Sequence, residues 1–367
     1  MNKAIPDDTH VFRMTDCTGM LQHARNGVPD PSEGYTTDDN ARALVMADLL
    51  YETTHEKKYL DLAYRYLGFL LNAQSGGRFR NFMDYNRSFL ESEGSPDCFG
   101  RCILCLSFTA ESRGMPDNIR QTAASLLEQV IPGCTELRFL RSKAYALTGL
   151  CFRSDAKSGS MVRKLAGEIA QAFGQNSDGE WRWFEDSLTY CNAVLPWSLL
   201  CAYERTGETD FLHVGLDSLN FLLSKTFAGE IFRPIGCKGW LRKGGTPAEY
   251  DEQPVEACGT LLACLKAHRL TGDDRYRKRA EACLGWYTGK NSGSLNMIDP
   301  ETGGCMDGIK PNGPNRNEGA ESIVCWMIAS LTMARAGSAP RNRAPGTQLK
   351  RSACSAHIPA AVGQRMT

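Results

Sequence analysis

Three stretches share one pattern: KKYLDLAYRYLGFLL (57–71), TDFLHVGLDSLNFLL (209–223) and DRYRKRAEACLGWY (274–287). Aligned, they put Tyr59, Phe211 and Tyr276 at one position. Four residues on stand Ala63, Gly215 and Ala280, then Leu67, Leu219 and Leu284, with Phe69, Phe221 and Trp286 two beyond those. Offsets of 0, 4 and 8 fall on one face of an α-helix, and the second aromatic widens that face. A threonine lies five positions before each unit, at Thr54, Thr206 and Thr271. Recurrence of this kind means that one helical unit is used at least three times.

Helices of a second kind alternate with these amphipathic ones. They are less charged, apolar on more sides, and start near Thr37, Ser95, Leu140, Thr189, Asp251 and Asn317. A helix that is apolar nearly all round is a buried one. The amphipathic helices begin near Tyr59, Pro116, Ala156, Phe211 and Arg275, and the segment MTDCTGMLQHAR (14–25) is the expected twelfth. Six buried helices ringed by six amphipathic ones predict an all-α fold, an (α/α)6 toroid spanning residues 1–336. The segment 337–367 has five basic residues, no acidic ones and many Pro, Gly and Ser, and reads as a poorly ordered tail.

Composition narrows the function. The chain has 367 residues, 42% of them hydrophobic and 23% charged, with 42 basic and 42 acidic side chains. That is a globular composition without the basic excess of a nucleic-acid binder. The start lacks a signal peptide's apolar run, and no stretch is long and apolar enough to span a membrane. Fifteen cysteines, an odd number, fit reduced thiols and a cytoplasmic setting. Cys102 and Cys105 form a C-x-x-C without a second pair, so no metal site is expected, and no cofactor motif is present. Oligomeric state is not readable.

Long connections lead into the buried helices, at 75–96, 176–188, 226–250 and 291–316, whereas those leading out are short. Long loops on one face of a rigid scaffold are where binding groups are placed. In a toroid the inner helices run the same way, so their first turns meet at one mouth. Those turns hold Asp38, Asp39 and Arg42; Asp97 and Arg101; Ser142 and Lys143; Tyr190 and Asn192; Asp251, Glu252, Gln253 and Glu256; Glu318 and Glu321. The preceding loops add Trp181, Trp183, Glu185 and Trp240. Carboxylates, amides and aromatic faces suit a sugar, whose C–H face stacks on rings while its hydroxyls bond to polar groups. Each carboxylate also has a plain reading as a helix cap or ion pair, since Asp39 and Arg42, and Asp97 and Arg101, have ordinary helix-pair spacing. The six histidines include none that opens an inner helix.

The motifs GYTTDDNARAL (34–44), WFEDSLTYCNAVLP (183–196), PIGCKGW (234–240), DPETGGCMDG (299–308) and NEGAES (317–322) resemble bacterial proteins of the six-hairpin toroid type. That group is described as glycosidase-related and occurs fused to glycosyltransferases. The resemblance runs from about residue 14 to 335 and implies carbohydrate processing. Cys191 departs from it, standing in TYCNA where an aspartate is expected. The resulting expectation is a glycoside hydrolase acting on small oligosaccharides. Asp39 and Glu252 are its expected carboxylate pair, with Asp97, Glu185 and Glu256 in reserve. A sugar epimerase or isomerase on the same scaffold, and a non-catalytic sugar-binding protein, stand as alternatives.

Overall fold

The computed structural model describes residues 5–337. The expectation for the basic tail concerns residues that, from 338 onward, lie outside the described part. In chain order the helices are α1 (Thr9–Met14), α2 (Thr37–Thr54), α3 (Lys57–Ala73), α4 (Pro96–Glu111), α5 (Asp117–Val130) and α6 (Leu140–Leu150). They continue with α7 (Ala156–Asn176), α8 (Val194–Thr206), α9 (Thr209–Thr226), α10 (Pro254–Thr271), α11 (Asp274–Tyr287) and α12 (Ala320–Ala336). The even-numbered helices pack side by side in a ring that closes where α12 meets α2, and α3, α5, α7, α9 and α11 each back the inner helix before them. This is the (α/α)6 toroid expected from the alternation. Strands are two or three residues long and pair only in twos, within and between loops.

The repeated threonines mark where the chain turns from the inner layer to the outer. Thr54, Thr206 and Thr271 are the last residues of α2, α8 and α10. Each hydroxyl donates to the carbonyl four residues back, at 2.8–2.9 Å, and accepts the N–H two residues on, at 3.1–3.2 Å. The next residue, His55, Gly207 or Gly272, is left-handed and stops the helix. One side chain thus satisfies a helix-end carbonyl and fixes a tight reversal. Four residues after each aromatic, the small residue sets the layer spacing: a Cβ on Gly215 would stand 3.0 Å from Leu200 of α8.

Two helix expectations need correction. Residues 14–25 are not the twelfth helix: after the short α1, Asp16 accepts the N–H groups of Thr18 and Gly19 and turns the chain. The turn tucks Gly19 against Asn40, where any Cβ would clash at 2.5 Å. Helix α8 begins at Val194 rather than near Thr189, because Cys191 takes a left-handed φ of 47° and the chain turns once before the helix starts.

The long loops are stitched to one another at the inner helices' N-terminal end. Tyr35–Thr36 pairs with Phe82–Met83, and Ser187–Leu188 with Leu241–Arg242. Glu252 bridges Ile309 through two backbone hydrogen bonds, N–H to carbonyl in each direction. Among the described residues no helix is long and apolar enough to cross a membrane.

Candidate active site

The α2 terminus begins the polar network. Thr36 is its N-cap: its hydroxyl accepts the Asp39 N–H at 3.1 Å and donates to Asp39 Oδ2 at 2.6 Å. Asp39 Oδ1 accepts from Arg42 Nη1 at 2.9 Å, so both of its oxygens are taken. Burial raises its pKa above the ordinary carboxylate range, outweighing the Arg42 charge beside it.

Asp38 faces across the ring. Its Oδ2 accepts from Arg101 of α4 at 2.6 Å and from Arg42 at 3.3 Å, while Oδ1 is buried without a partner. Arg42 also pairs with Glu321 of α12 at 2.8 Å. Arg101 donates to the Tyr145 hydroxyl at 3.1 Å and to the Cys191 sulfur at 3.5 Å, its guanidinium lying 4.5 Å from the Tyr145 ring centre. Four inner helices and the loop before a fifth therefore meet in one lattice of charge.

Glu256, in the first turn of α10, completes it. Its carboxylate accepts the Cys191 N–H through Oε1 and the Asn192 N–H at 3.4 Å through Oε2, anchoring the left-handed turn before α8. Burial pushes its pKa up to about 7 despite those donors. Asn192 ties the same turn to itself, accepting from the Thr189 N–H and donating to the Thr189 carbonyl. Beside it Arg141 donates to Glu185 at 2.8 Å, to Asn192 at 3.4 Å and to the Tyr190 carbonyl. On the rim the 40% exposed Tyr190 donates its hydroxyl to Asp97 at 2.6 Å, with the half-buried Trp240 6.4 Å away between ring centres.

A cavity of about 1190 Å³ runs from this network down the toroid axis, and Arg42, Arg101, Tyr145, Cys191 and Glu256 line its polar end. Among the described residues no histidine lines that end. His268 lines the opposite end, 3.1 Å from Asp274, and His23 sits 2.8 Å from Asn317 outside the cavity wall.

Several expected site residues lie elsewhere. Glu252 is wholly buried, with Trp286 Nε1 donating to Oε2 at 2.7 Å and the Ser292 hydroxyl to Oε1, and it is not among the residues lining the axial cavity. Glu318 is buried against Thr302 at 2.6 Å and His10 at 3.9 Å. Trp181 and Trp183 are core: Trp181 packs edge-on against Phe221 at 5.0 Å and Trp183 against Phe184 at 5.1 Å, leaving no free face. Lys143 points to the outer layer and pairs with Glu168 of α7 at 2.8 Å. Asp251 pairs with Lys238 at 3.5 Å, and Gln253 precedes α10 without capping it. None of Asp39, Asp97, Tyr190, Glu252 and Glu318 is among the residues lining the axial cavity, so the five do not meet there.

Two residues of the network and one helix cap near it are not singled out by the sequence. Arg141 and Tyr145 stand in LRSKAYAL, where Ser142 and Lys143 drew the attention. A charged residue at the start of a buried helix, as at Arg42 and Arg101, is the feature that marks Arg141. Asp307 caps α12, accepting the Gly319 N–H at 2.9 Å and the Ser322 hydroxyl at 2.6 Å. It lies in a loop, where helix periodicity carries no information.

No family model matches the sequence, and no curated protein matches it. Solved structures do match in shape. The cellobiose 2-epimerase of Bacillus thermoamylovorans superposes with a TM-score of 0.71 over 89% of this chain and 95% of that one, at 12% identity. A D-mannose isomerase gives 0.66 over 89% and 94%, at 14% identity. The α-1,6-mannanase of Salegentibacter sp. gives 0.58 over 90% and 96%, at 12% identity. The scaffold is therefore one shared by sugar epimerases, sugar isomerases and glycoside hydrolases.

Proposed function

We propose that this chain is a glycoside hydrolase acting on small oligosaccharides at the polar end of the axial cavity, with Glu256 as general acid and the salt-bridged Asp38 as the second carboxyl group. The observation that carries this reading is the contrast between two carboxyl groups of one network. Glu256 lines the cavity with its pKa lifted to about 7, so it holds a proton near neutrality. Asp38 is salt-bridged to Arg42 and Arg101 and keeps one oxygen without a partner. Glycoside hydrolysis asks for two carboxyl groups, one that protonates the departing oxygen and one that supports attack at the anomeric carbon. Asp39 supports Arg42 from below, and Glu185, Asp97 and Glu321 order the cations and Tyr190 at the rim. Tyr190 and Trp240 offer the ring faces that a sugar stacks on.

Two observations lean the same way. In the α-1,6-mannanase, a variant with two neighbouring aspartates changed to asparagine is inactive and holds α-1,6-mannotriose; Asp38 and Asp39 are such a pair. An epimerase reading would call for proton-transferring imidazoles, and the cavity's polar end holds carboxylates and guanidiniums instead. A reducing, cytoplasmic setting fits the free thiols of the described cysteines. Crystals of the E256Q variant soaked with an uncleaved oligosaccharide test the assignment. The glycosidic oxygen should lie within hydrogen-bond reach of position 256, and a sugar bound only at a distant surface would refute it.

A further inference from the structure

Below its polar end the axial cavity changes character. Leu49 of α2, Leu104 and Phe108 of α4, Trp197 of α8, Leu262 of α10 and Ile328 of α12 line it, and all but Leu49 are only half-buried. These helices are shielded by the outer layer, so the surface those side chains keep is surface facing the cavity. An ordinary core would close such a space, because unfilled apolar volume costs stability. A space of about 1190 Å³ exceeds the usual volume of a ligand pocket, and a mostly apolar wall with a few polar groups is the usual make-up of one.

The far end does not compete for a charged group. Lys266 pairs with Glu204 at 2.7 Å, Arg269 with Glu204 at 3.0 Å, Arg277 with Glu281 at 3.1 Å and Arg335 with Glu52 at 2.8 Å. Arg42 and Arg101 are paired as well, but their end holds Glu256 and adjoins the Tyr190–Trp240 rim, so the hydrolase reading places a ligand's sugar there and its apolar part along the axis. Because the two walls belong to one cavity, a single molecule can reach both.

We propose that this apolar chamber binds the aglycone of an amphiphilic glycoside, a sugar linked through oxygen to an alkyl or aryl group. The inference rests on the hydrolase reading and names its substrate class. The reaction then breaks the bond between the anomeric carbon and the aglycone oxygen. Water supplies hydroxyl to that carbon and, through the carboxyl groups, a proton to the departing alcohol. No other reactant is needed.

Binding of methyl, butyl, hexyl and octyl β-D-glucosides, and of the matching alcohols, tests this by calorimetry below their micelle concentrations, with mannosides as a second sugar series. Each methylene moved from water into the chamber should lower Kd about fourfold, the ratio that about 0.8 kcal/mol per CH₂ gives. A Kd that stays flat with chain length while sugar binding persists overturns the chamber and leaves the mouth standing. A chain-length gain shared by the plain alcohols, with nothing added by the sugar, keeps the chamber and removes the mouth reading. Gly259→Leu supplies a steric control. A Cβ there meets only Ala193, at 3.7 Å, and residue 259 lines the cavity, so the side chain has room to fill the chamber. That variant should keep its Tm and lose the chain-length gain. If it fails to fold, the series on the unaltered protein decides alone.

Discussion

Replacing Glu256 with Gln separates a proton donor from a helix-turn anchor, because the two roles leave different marks against pH. Burial lifts the Glu256 pKa from 4.5 to about 7. The folded protein therefore keeps a proton that the unfolded chain has already lost. Its stabilising share is whole below the unfolded value and is lost as pH climbs through about 7. At 1.36 kcal/mol per pKa unit, wild type gives up about 2–3 kcal/mol between pH 5 and pH 8 through this group alone. Gln does not titrate, so the variant escapes that loss. It meets a different cost at every pH. The amide NH₂ cannot accept, whereas both oxygens of the carboxyl group, protonated or not, keep a lone pair for Cys191 and Asn192, so one buried N–H is left short of a partner at about 1–3 kcal/mol. Denaturant unfolding should therefore show E256Q less stable than wild type at pH 5 and equal or better at pH 8. Turnover at both pH values should fall by roughly 10²–10⁴-fold, the contribution of a positioned proton donor. A stability difference that is the same at pH 5 and pH 8 would refute the raised pKa. A pH-dependent difference with turnover within twofold of wild type would leave Glu256 an anchor only.

Asp38→Asn removes the carboxylate that Arg101 and Arg42 share, and leaves Arg101 only Tyr145 and Cys191. Stability should fall by about 3 kcal/mol in urea titration, and turnover should fall with it. The tryptophans divide by burial. Trp183→Ala should cost about 3–5 kcal/mol as a core cavity, whereas Trp240→Ala should leave Tm within a few degrees and weaken oligosaccharide binding in calorimetry. At Cys191, whose φ is 47°, asparagine suits the left-handed conformation better. Cys191→Asn should raise unfolding free energy by about 1 kcal/mol, and an unchanged or lower value would show that the thiol's contact with Arg101 matters more.

The toroid could be read from sequence because its cause is local. A threonine, an aromatic and a small residue at helical spacing mark three of the reversals, and all three lie within a few residues of one another. The polar mouth was visible for a related reason: a charge in the first turn of an otherwise apolar helix stands out. Which of those charges stays available was not visible, since that depends on partners far along the chain. Glu252 is closed by Trp286 and Ser292, 34 and 40 residues away, and the Glu318 carboxylate by Thr302, 16 residues away, while His10, 308 residues away, holds its backbone carbonyl. Trp181 and Trp183 stand in a polar loop and look like exposed platforms until Phe221 of α9 covers them. The start of α8 is not legible in the sequence because a left-handed cysteine has no signature of the kind glycine provides.

The most direct test of the central claim is a proton NMR time course of the purified protein with a panel of oligosaccharides and alkyl glycosides. Hydrolysis at the Glu256–Asp38 end predicts new anomeric signals of a freed reducing sugar, appearing with wild type and suppressed by E256Q. Conversion of one intact sugar into its epimer or isomer, with no glycosidic bond broken, would contradict it.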